Sequence, residues 1–394
     1  MSLKGFSYLR NRRILKLFTM LILSSVLFSI TGLSLLGFYK NFDEYLGEEN
    51  DIVVVYASGS STPYTGYVPA YLSERISQME GVLASSSEMI IPCFIEDEAI
   101  FLRGIVPEDF TKLNEISMIA GDPLEIRDIN YLIVGYRLAE RLDLRTGEHV
   151  LILGVLRDRY LELQVKGIYK SNTMIDDEVL APLYAGQWLR GAGYNRVTLI
   201  RFKIDRSKVN PSMIFDEVEK ESEKPSPGLG EGTGLPEIIP SQRASINIED
   251  IAVEEAQRFM NTYLERYGIT REALLILSVM VFIFSSASIV TASNTIMSQH
   301  RAELELLKSL GASTTTLKWD ILMKLLPWSL ASSTIGIIIS LAALTVLNEN
   351  GFLLALSHRF NIQVDPNIAA TNFILVSLLL SIIILRSDLK HMRG

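Results

Sequence analysis

MSQHRAELELLKSLGASTTTLKWDILMKLLPW, residues 297–328, lies between two long apolar runs and carries Arg301, Lys308, Lys318 and Lys324. Upstream, Ala273 to Gln299 contains ALLILSVMVFIFSSASIVTASNTIM; downstream, Leu325 to Asn348 reads LLPWSLASSTIGIIISLAALTVLN. A helix that crosses the hydrocarbon core of a bilayer needs roughly 20 apolar residues, and both runs reach that length. Two more do the same: Leu17 to Tyr39, LFTMLILSSVLFSITGLSLLGFY, and Pro366 to Leu385, PNIAATNFILVSLLLSIIIL. Residues 40–270 hold no comparable run. The order is one span, a large hydrophilic domain, then three spans in quick succession.

The expected fold is therefore an α-helical membrane protein with four transmembrane helices and a mixed α+β extracytoplasmic domain inserted between spans 1 and 2. Its expected pieces are a leader (1–16), spans at 17–39, 273–297, 325–348 and 366–385, an elbow at 298–323, a short outer loop at 349–365 and a tail at 386–394. The first run reads as a retained anchor, because its apolar stretch exceeds the roughly 7–15 residues of a signal-peptide core and charged residues follow directly.

Basic residues set the orientation. The leader carries Lys4, Arg10, Arg12, Arg13 and Lys16 with no acid, and the tail carries Arg386, Lys390 and Arg393, whereas the loop between the last two runs has only Arg359. The positive-inside rule places leader, elbow and tail in the cytoplasm and residues 40–270 outside. The formal charge of −8 then divides into 38 acids against 23 bases (−15) for residues 40–270 and 7 against 14 (+7) for the remainder. No basic face is on offer for nucleic acid. With 48% hydrophobic residues the chain is not disordered, and Cys93, its single cysteine, cannot form an internal disulfide. The cytoplasmic pieces total roughly 50 residues, well below an ordinary domain.

Residues 40–270 alternate strand and helix signals. DIVVVYA (51–57) reads as a strand, 68–82 as a helix, and 89–105 as two strands joined at Glu96, Asp97 and Glu98. Residues 131–153 read as strand, helix and strand with a turn at Thr146–Gly147, and 161–170 as a half-buried strand. After a turn at Asp176, Asp177 and Glu178 come a short helix and the strand NRVTLIRFKI. A β-rich subdomain is expected over about 106–204. Residues 225–240, rich in Pro and Gly, read as a loop, and 246–268 as one long helix running into the second span.

Catalytic chemistry is not legible. His149, His300, His358 and His391 are scattered without metal-ligand spacing. Both acidic triplets read as solvated turn tips, and Cys93 as a small buried side chain. No catalytic, cofactor-binding or metal-binding residue is assigned.

The elbow is richer. Leu304, Leu307 and Leu310 form one helical stripe, with Glu303 and Lys308 off it. Gly311 suits a helix C-terminal cap and Ser313 the N-cap of the next helix, which continues through Leu317, Ile321 and Leu325. In the third run Ser332, Gly336 and Ser340 make a small-xxx-small ladder suited to close helix packing.

RAELELLKSLGAS resembles the signature of FtsX/MacB-type ABC transporter permeases, approximately R-x-E-[LI]-x-[VIL]-L-[RK]-[AS]-[LV]-G-A; Arg301, Glu303, Lys308, Gly311 and Ala312 match it. IFLRGIVPEDF, YLIVGYRLAERLDLRTGEHVLI and LELQVKGIYKS resemble segments of that family's extracytoplasmic domain, in the same order. The chain departs from many relatives at Lys324, where they carry an acid, and at Ser332 and Ser333, where they often have a Gly pair. The resemblance implies a MacB-like periplasmic core domain and an elbow that docks as a coupling helix on a separate cytoplasmic ABC ATPase. It also implies a dimer with a second copy or a similar chain in the lipid bilayer of the cell membrane, and spans that relay motion outward instead of conducting cargo. A division-type regulator of a cell-wall hydrolase is an alternative, against which the size of the outer domain weighs. A membrane receptor or adhesion protein is another.

Overall fold

The computed structural model describes residues 11–47, 51–60, 62–223, 251–266, 269–270, 272–274, 276–283, 286–287, 290, 301–350, 352–355, 357–359 and 366–386. It divides into two compact units. One comprises Met1–Tyr39, Ile269–Leu353 and Phe360–Gly394; the other comprises Lys40–Gly268 and Leu354–Arg359.

Helix α1 (Asn11–Asp43) runs through the first apolar stretch and ends among the residues of the second unit. That unit continues as β1 (Ile52–Ala57), β2 (Val68–Pro69), α2 (Leu72–Ser77), β3 (Val82–Ile95), β4 (Glu98–Ile105), α3 (Pro107–Leu113) and β5 (Ser117–Gly121). It proceeds through β6 (Tyr131–Gly135), α4 (Tyr136–Leu142), β7 (His149–Gly154), β8 (Tyr160–Lys170), a 3-10 turn at Met174–Asp177 and β9 (Glu178–Pro182). Then come α5 (Leu183–Arg190), β10 (Arg196–Val197), β11 (Leu199–Ile204), α6 (Pro211–Glu223), β12 (Ile251–Glu255) and α7 (Ala256–Arg266).

Ten of these strands form one sheet, in the order β12-β1-β11-β3-β4-β9-β6-β8-β5, with β7 bridging β3 and β8. Most neighbours are antiparallel, but β4 pairs parallel with β9 and β6 with β8. The β-branched run IVVVYA makes β1 a strand buried on both faces, whereas β8 alternates buried and less buried positions as its sequence predicts. At one end Val53, Val55, Ile200 and Phe202 pack with Leu72, Ile76 and Val218; at the other Leu102, Val134, Val165 and Val179 pack with Leu138 and Leu189.

Three expectations need correction. Helix appears only over Leu72–Ser77 of the expected 68–82, because Val68 and Pro69 are held in a ladder with Val197 and Arg196. The expected long helix of 246–268 begins, in its described part, as the edge strand β12. Val53 pairs with Glu255 and Ala57 with Ile251, so the ladder on β1 overrides the local helical pattern. Third, Asp176, Asp177 and Glu178 are no solvated tip: all three are 0% exposed, while Glu96, Asp97 and Glu98 are exposed as expected. Helix α6 corresponds to no element expected from the sequence, and the loop 225–240 lies outside the described residues.

In the first unit, α8 (Glu272–Ile283), α9 (Arg301–Ser309), α10 (Thr314–Glu349) and α11 (Pro366–Arg386) follow. Three described helices are long and apolar enough to cross a membrane: Phe18–Asp43, Thr314–Glu349 and Pro366–Leu385. The second apolar run is represented by α8, and much of the rest of that run lies outside the described residues. A Cβ on Gly336 would meet Ser25 Oγ at 2.3 Å, so α10 and α1 approach closely there. Ser340 Oγ donates to Val26 O at 3.2 Å, and Asn372 Nδ2 donates to Ser25 Oγ and Ser29 Oγ at 2.9 and 2.6 Å. Hydroxyls and one amide thus stitch α1, α10 and α11 together, the device expected where apolar surface alone cannot drive helix association.

Between α10 and α11 the chain forms a small hairpin, β13 (Leu354–Ala355) and β14 (His358–Arg359), turned at Ser357 with φ +64°. This hairpin belongs to the unit built on the large sheet.

Candidate functional site

Two places collect chemistry: the elbow in the first unit and a buried charge cluster in the second. At the elbow, α9 closes with Leu310 N donating to Leu306 O and Ala312 N to Leu307 O. Gly311 takes φ +95°, a left-handed conformation that only glycine adopts cheaply, while nothing lies within 4 Å of where its Cβ would be. The requirement for glycine is therefore conformational, not steric. Ser313 Oγ accepts from Thr316 N at 3.1 Å and caps α10.

Leu307, Leu317, Ile321 and Leu325 are buried in one apolar cluster, and Ala312 packs against it. Lys308 is exposed. Leu310 departs from the expected stripe: it lies just beyond α9, shares the face of Leu306 four residues earlier, and is 70% exposed. With Leu306, also exposed, it leaves two leucines facing outward, which a periodicity argument does not anticipate. The backbones of Arg301 and Glu303 lie in the first turns of α9; their side chains are outside the described residues. Ser332 and Ser340 are fully buried on either side of Gly336.

The second place centres on Glu178 at the start of β9. Arg103 from β4 reaches it through Nε at 2.7 Å and Nη2 at 3.1 Å, and extends Nη1 to Glu88 Oε2 of β3 at 2.6 Å. Arg201 of β11 donates from Nε to Glu88 Oε1 at 2.6 Å and from Nη1 to Leu46 O at 2.8 Å. Two acids thus face two arginines, and none of the four side chains is more than 3% exposed. Phe110 of α3 lies under both guanidinium groups, its centroid 6.0 Å from Arg103 and 5.4 Å from Arg201.

Two further segments end on this cluster. Tyr45, just past α1, donates its hydroxyl to Glu178 Oε1, and its ring faces Arg103 at 5.0 Å. His358 of the hairpin places Nε2 3.1 Å from the same oxygen. Burial works to raise the Glu178 pKa, but the Arg103 charge and the bonds from His358 and Arg103 hold it down at about 2. For Arg103 the neighbouring carboxylates overcome the effect of burial and push its pKa up. For Arg201 burial prevails over the Glu88 charge and the pKa falls.

In the sequence Glu178 reads as part of a turn tip and His358 as an isolated histidine, and Glu88, Arg103, Arg201 and Tyr45 carry no assignment. The available signal was a lone arginine inside each of two apolar strands, FLRGI and LIRFKI, which must find buried acids. His358 gave no such signal. Cys93 is buried as expected, and burial raises its thiol pKa. Among the described residues no group of three or more His, Cys, Asp or Glu could hold a metal ion.

Residues 275–393 match the FtsX-like permease C-terminal family. No curated protein matches the chain. Among solved structures it is similar to the periplasmic region of MacB from Actinobacillus actinomycetemcomitans, at 10% identity over 54% of this chain and 92% of that one, with a TM-score of 0.36. It is similar also to the extracellular domain of the ABC-type transporter YknZ from Gram-positive bacteria, at 13% identity over 43% and 92%, with a TM-score of 0.35. With three helices able to cross a bilayer, the chain is a membrane protein. The residues matched by the FtsX-like permease C-terminal family contain the whole elbow, and with it the RAELELLKSLGAS stretch that resembles the family's signature.

Proposed function

We propose that this protein is the transmembrane subunit of an ABC transporter, coupling ATP hydrolysis in a separate cytoplasmic ATPase to motion of its sheet-containing outer domain. The FtsX-like permease match over residues 275–393 carries the reading. In this reading the second apolar run completes a fourth span, both termini are cytoplasmic, residues of about 40–270 are extracytoplasmic, and two permease chains act together. The outcome is export of a substrate, or its extraction at the outer membrane face.

The elbow is the docking element. Arg301, Glu303 and Lys308 supply charge, while Gly311 and Ala312 fix the turn that presents α9. A helix–turn–helix with an outward Leu306–Leu310 pair suits a groove on a partner protein. Motion then has two routes to Glu178, each a chain segment ending in a hydrogen bond: residues 44–46 continue directly from α1 to Tyr45, and the hairpin carrying His358 joins α10 to α11. Both converge on a cluster whose disruption leaves a buried charge unpaired, so neither is free to drift from the sheet.

The test is co-purification of an ABC ATPase co-expressed with the full chain. Glu303→Lys combined with Gly311→Val is expected to leave membrane insertion intact and to reduce ATPase recovery at least tenfold. Equal recovery with the double variant would reduce the elbow to a chain reversal.

A further inference from the structure

A second group of charges in the sheet unit plays no part in the coupling reading. Arg137 and Arg141 come from α4, Arg359 from β14, and Asp177 from the turn before β9. Arg137 Nε forms an ion pair with Asp177 Oδ2 at 3.0 Å, and the same oxygen accepts the Arg359 main-chain N–H at 3.0 Å. Arg141 Nη1 donates to Ser357 O at 3.0 Å and lies 3.8 Å from Asp177 Oδ1, beyond hydrogen-bond reach. The three arginine side chains are 12%, 10% and 9% exposed, and Asp177 is 0%.

The other acids nearby do not complete this group. Glu140 Oε2 accepts from Arg359 Nη1 at 3.3 Å but is 71% exposed and hydrated. Asp176 is buried, yet its oxygens already accept from Ser171 N, Ser171 Oγ and Asn172 N. Glu98, close enough to act on Arg141, is exposed. Lys170 adds a further cation 5.2 Å from the Tyr136 ring, which Arg137 also faces.

The bonding is incomplete in a specific way. Arg137 Nε, Arg141 Nε and Nη2 and Arg359 Nε are buried without a hydrogen-bond acceptor, while Asp177 Oδ1 is buried without a donor. Such groups are costly to leave unmet. A ligand that satisfies both must offer several anionic oxygens to guanidinium forks and one O–H to a carboxylate. Inorganic phosphate meets that description at neutral pH, as does a phosphomonoester in its singly protonated form. Sulfate has the oxygens but no proton to give.

We propose that Arg137, Arg141, Arg359 and Asp177 form a binding site for a proton-bearing phosphate group, the arginines donating to its charged oxygens and Asp177 Oδ1 accepting from its P–OH. Arg359 lies in the segment joining two membrane-type helices, so the group can come from solution or from a phosphatidic acid headgroup. The site stands independently of ATPase coupling, and its loss would leave that reading untouched.

The experiment is thermal unfolding of the full chain. In detergent, millimolar inorganic phosphate is compared with sulfate and chloride at matched ionic strength; in nanodiscs, phosphatidylcholine is compared with and without phosphatidic acid. Phosphate is expected to raise the midpoint by about 2 °C or more, sulfate not to, and Arg141→Gln and Arg359→Gln each to abolish the rise. If either variant fails to fold, the wild-type contrast between phosphate and sulfate still decides. A rise confined to phosphatidic acid nanodiscs identifies the headgroup as the source. Equal rises with phosphate and sulfate, or none in any arm, would overturn the proposal.

Discussion

His358 and Glu178, 180 positions apart in the chain, share a 3.1 Å hydrogen bond where neither side chain is more than 1% exposed. The bond fastens the hairpin between α10 and α11 to the first residue of a central strand. The same Glu178 oxygen accepts from Tyr45, two residues past the end of α1. Chain segments that leave three membrane-type helices are thereby tied to one carboxylate.

That carboxylate gives the sheet unit an acid sensitivity. An unfolded glutamate titrates near 4.3, whereas Glu178 in the fold is held at about 2. A folded-state pKa below the unfolded one contributes stability in full above about pH 5 and loses it as pH falls toward 2. Thermal unfolding of the full chain across that range is expected to show a falling midpoint, and Glu178→Gln to flatten the fall.

Arg103 is the pivot of the cluster, because it alone bonds both Glu88 and Glu178. Arg103→Met leaves Glu88 with Arg201 alone and Glu178 in a dry site without an arginine, and is expected to destabilise the unit by about 3–5 kcal/mol. Arg103→Lys keeps the charge but loses the fork and should recover only part of this. Chemical denaturation of the purified variants measures both.

Gly336 is required by contact. A methyl there would meet Ser25 Oγ at 2.3 Å and Ser25 Cβ at 2.6 Å. Gly336→Ala is expected to lower stability in detergent by about 1–3 kcal/mol through overpacking. Adding Ser25→Gly should restore most of the loss, since it removes the atoms that collide. Without rescue, the α1–α10 contact is not what the glycine serves.

The outward leucines separate folding from docking. Leu306→Asp and Leu310→Asp alter side chains 58% and 70% exposed, so unfolding midpoints should move by less than about 0.5 kcal/mol equivalent. Recovery of a co-expressed ATPase is nonetheless expected to drop severalfold. Unchanged recovery would place the docking surface elsewhere.

Sequence carried the membrane part and much of the sheet. Apolar run length located α1, α10 and α11, and the C-cap glycine and N-cap serine located the turn between α9 and α10. Short apolar runs, β-branched in the first, located β1 and β6, and period-two alternation located β8. What escaped depends on distant partners. DDE at 176–178 has the composition of a turn tip, and its burial rests on three different sets of partners: Ser171 and Asn172 for Asp176, Arg137 of α4 for Asp177, and Arg103 of β4 for Glu178. IAVEE becomes a strand because β1 offers it an edge. Leu310 falls on the exposed face with Leu306, four residues earlier, and not on the buried face with Leu307.

The central claim is that an ATPase drives this chain through its elbow. The direct measurement is ATP turnover by a partner ABC ATPase reconstituted with the full chain in nanodiscs, against the ATPase alone and against the chain carrying Glu303→Lys and Gly311→Val. The account predicts that turnover changes severalfold with the wild-type chain and returns to the level of the isolated ATPase with the double variant. The same turnover in all three preparations would contradict it.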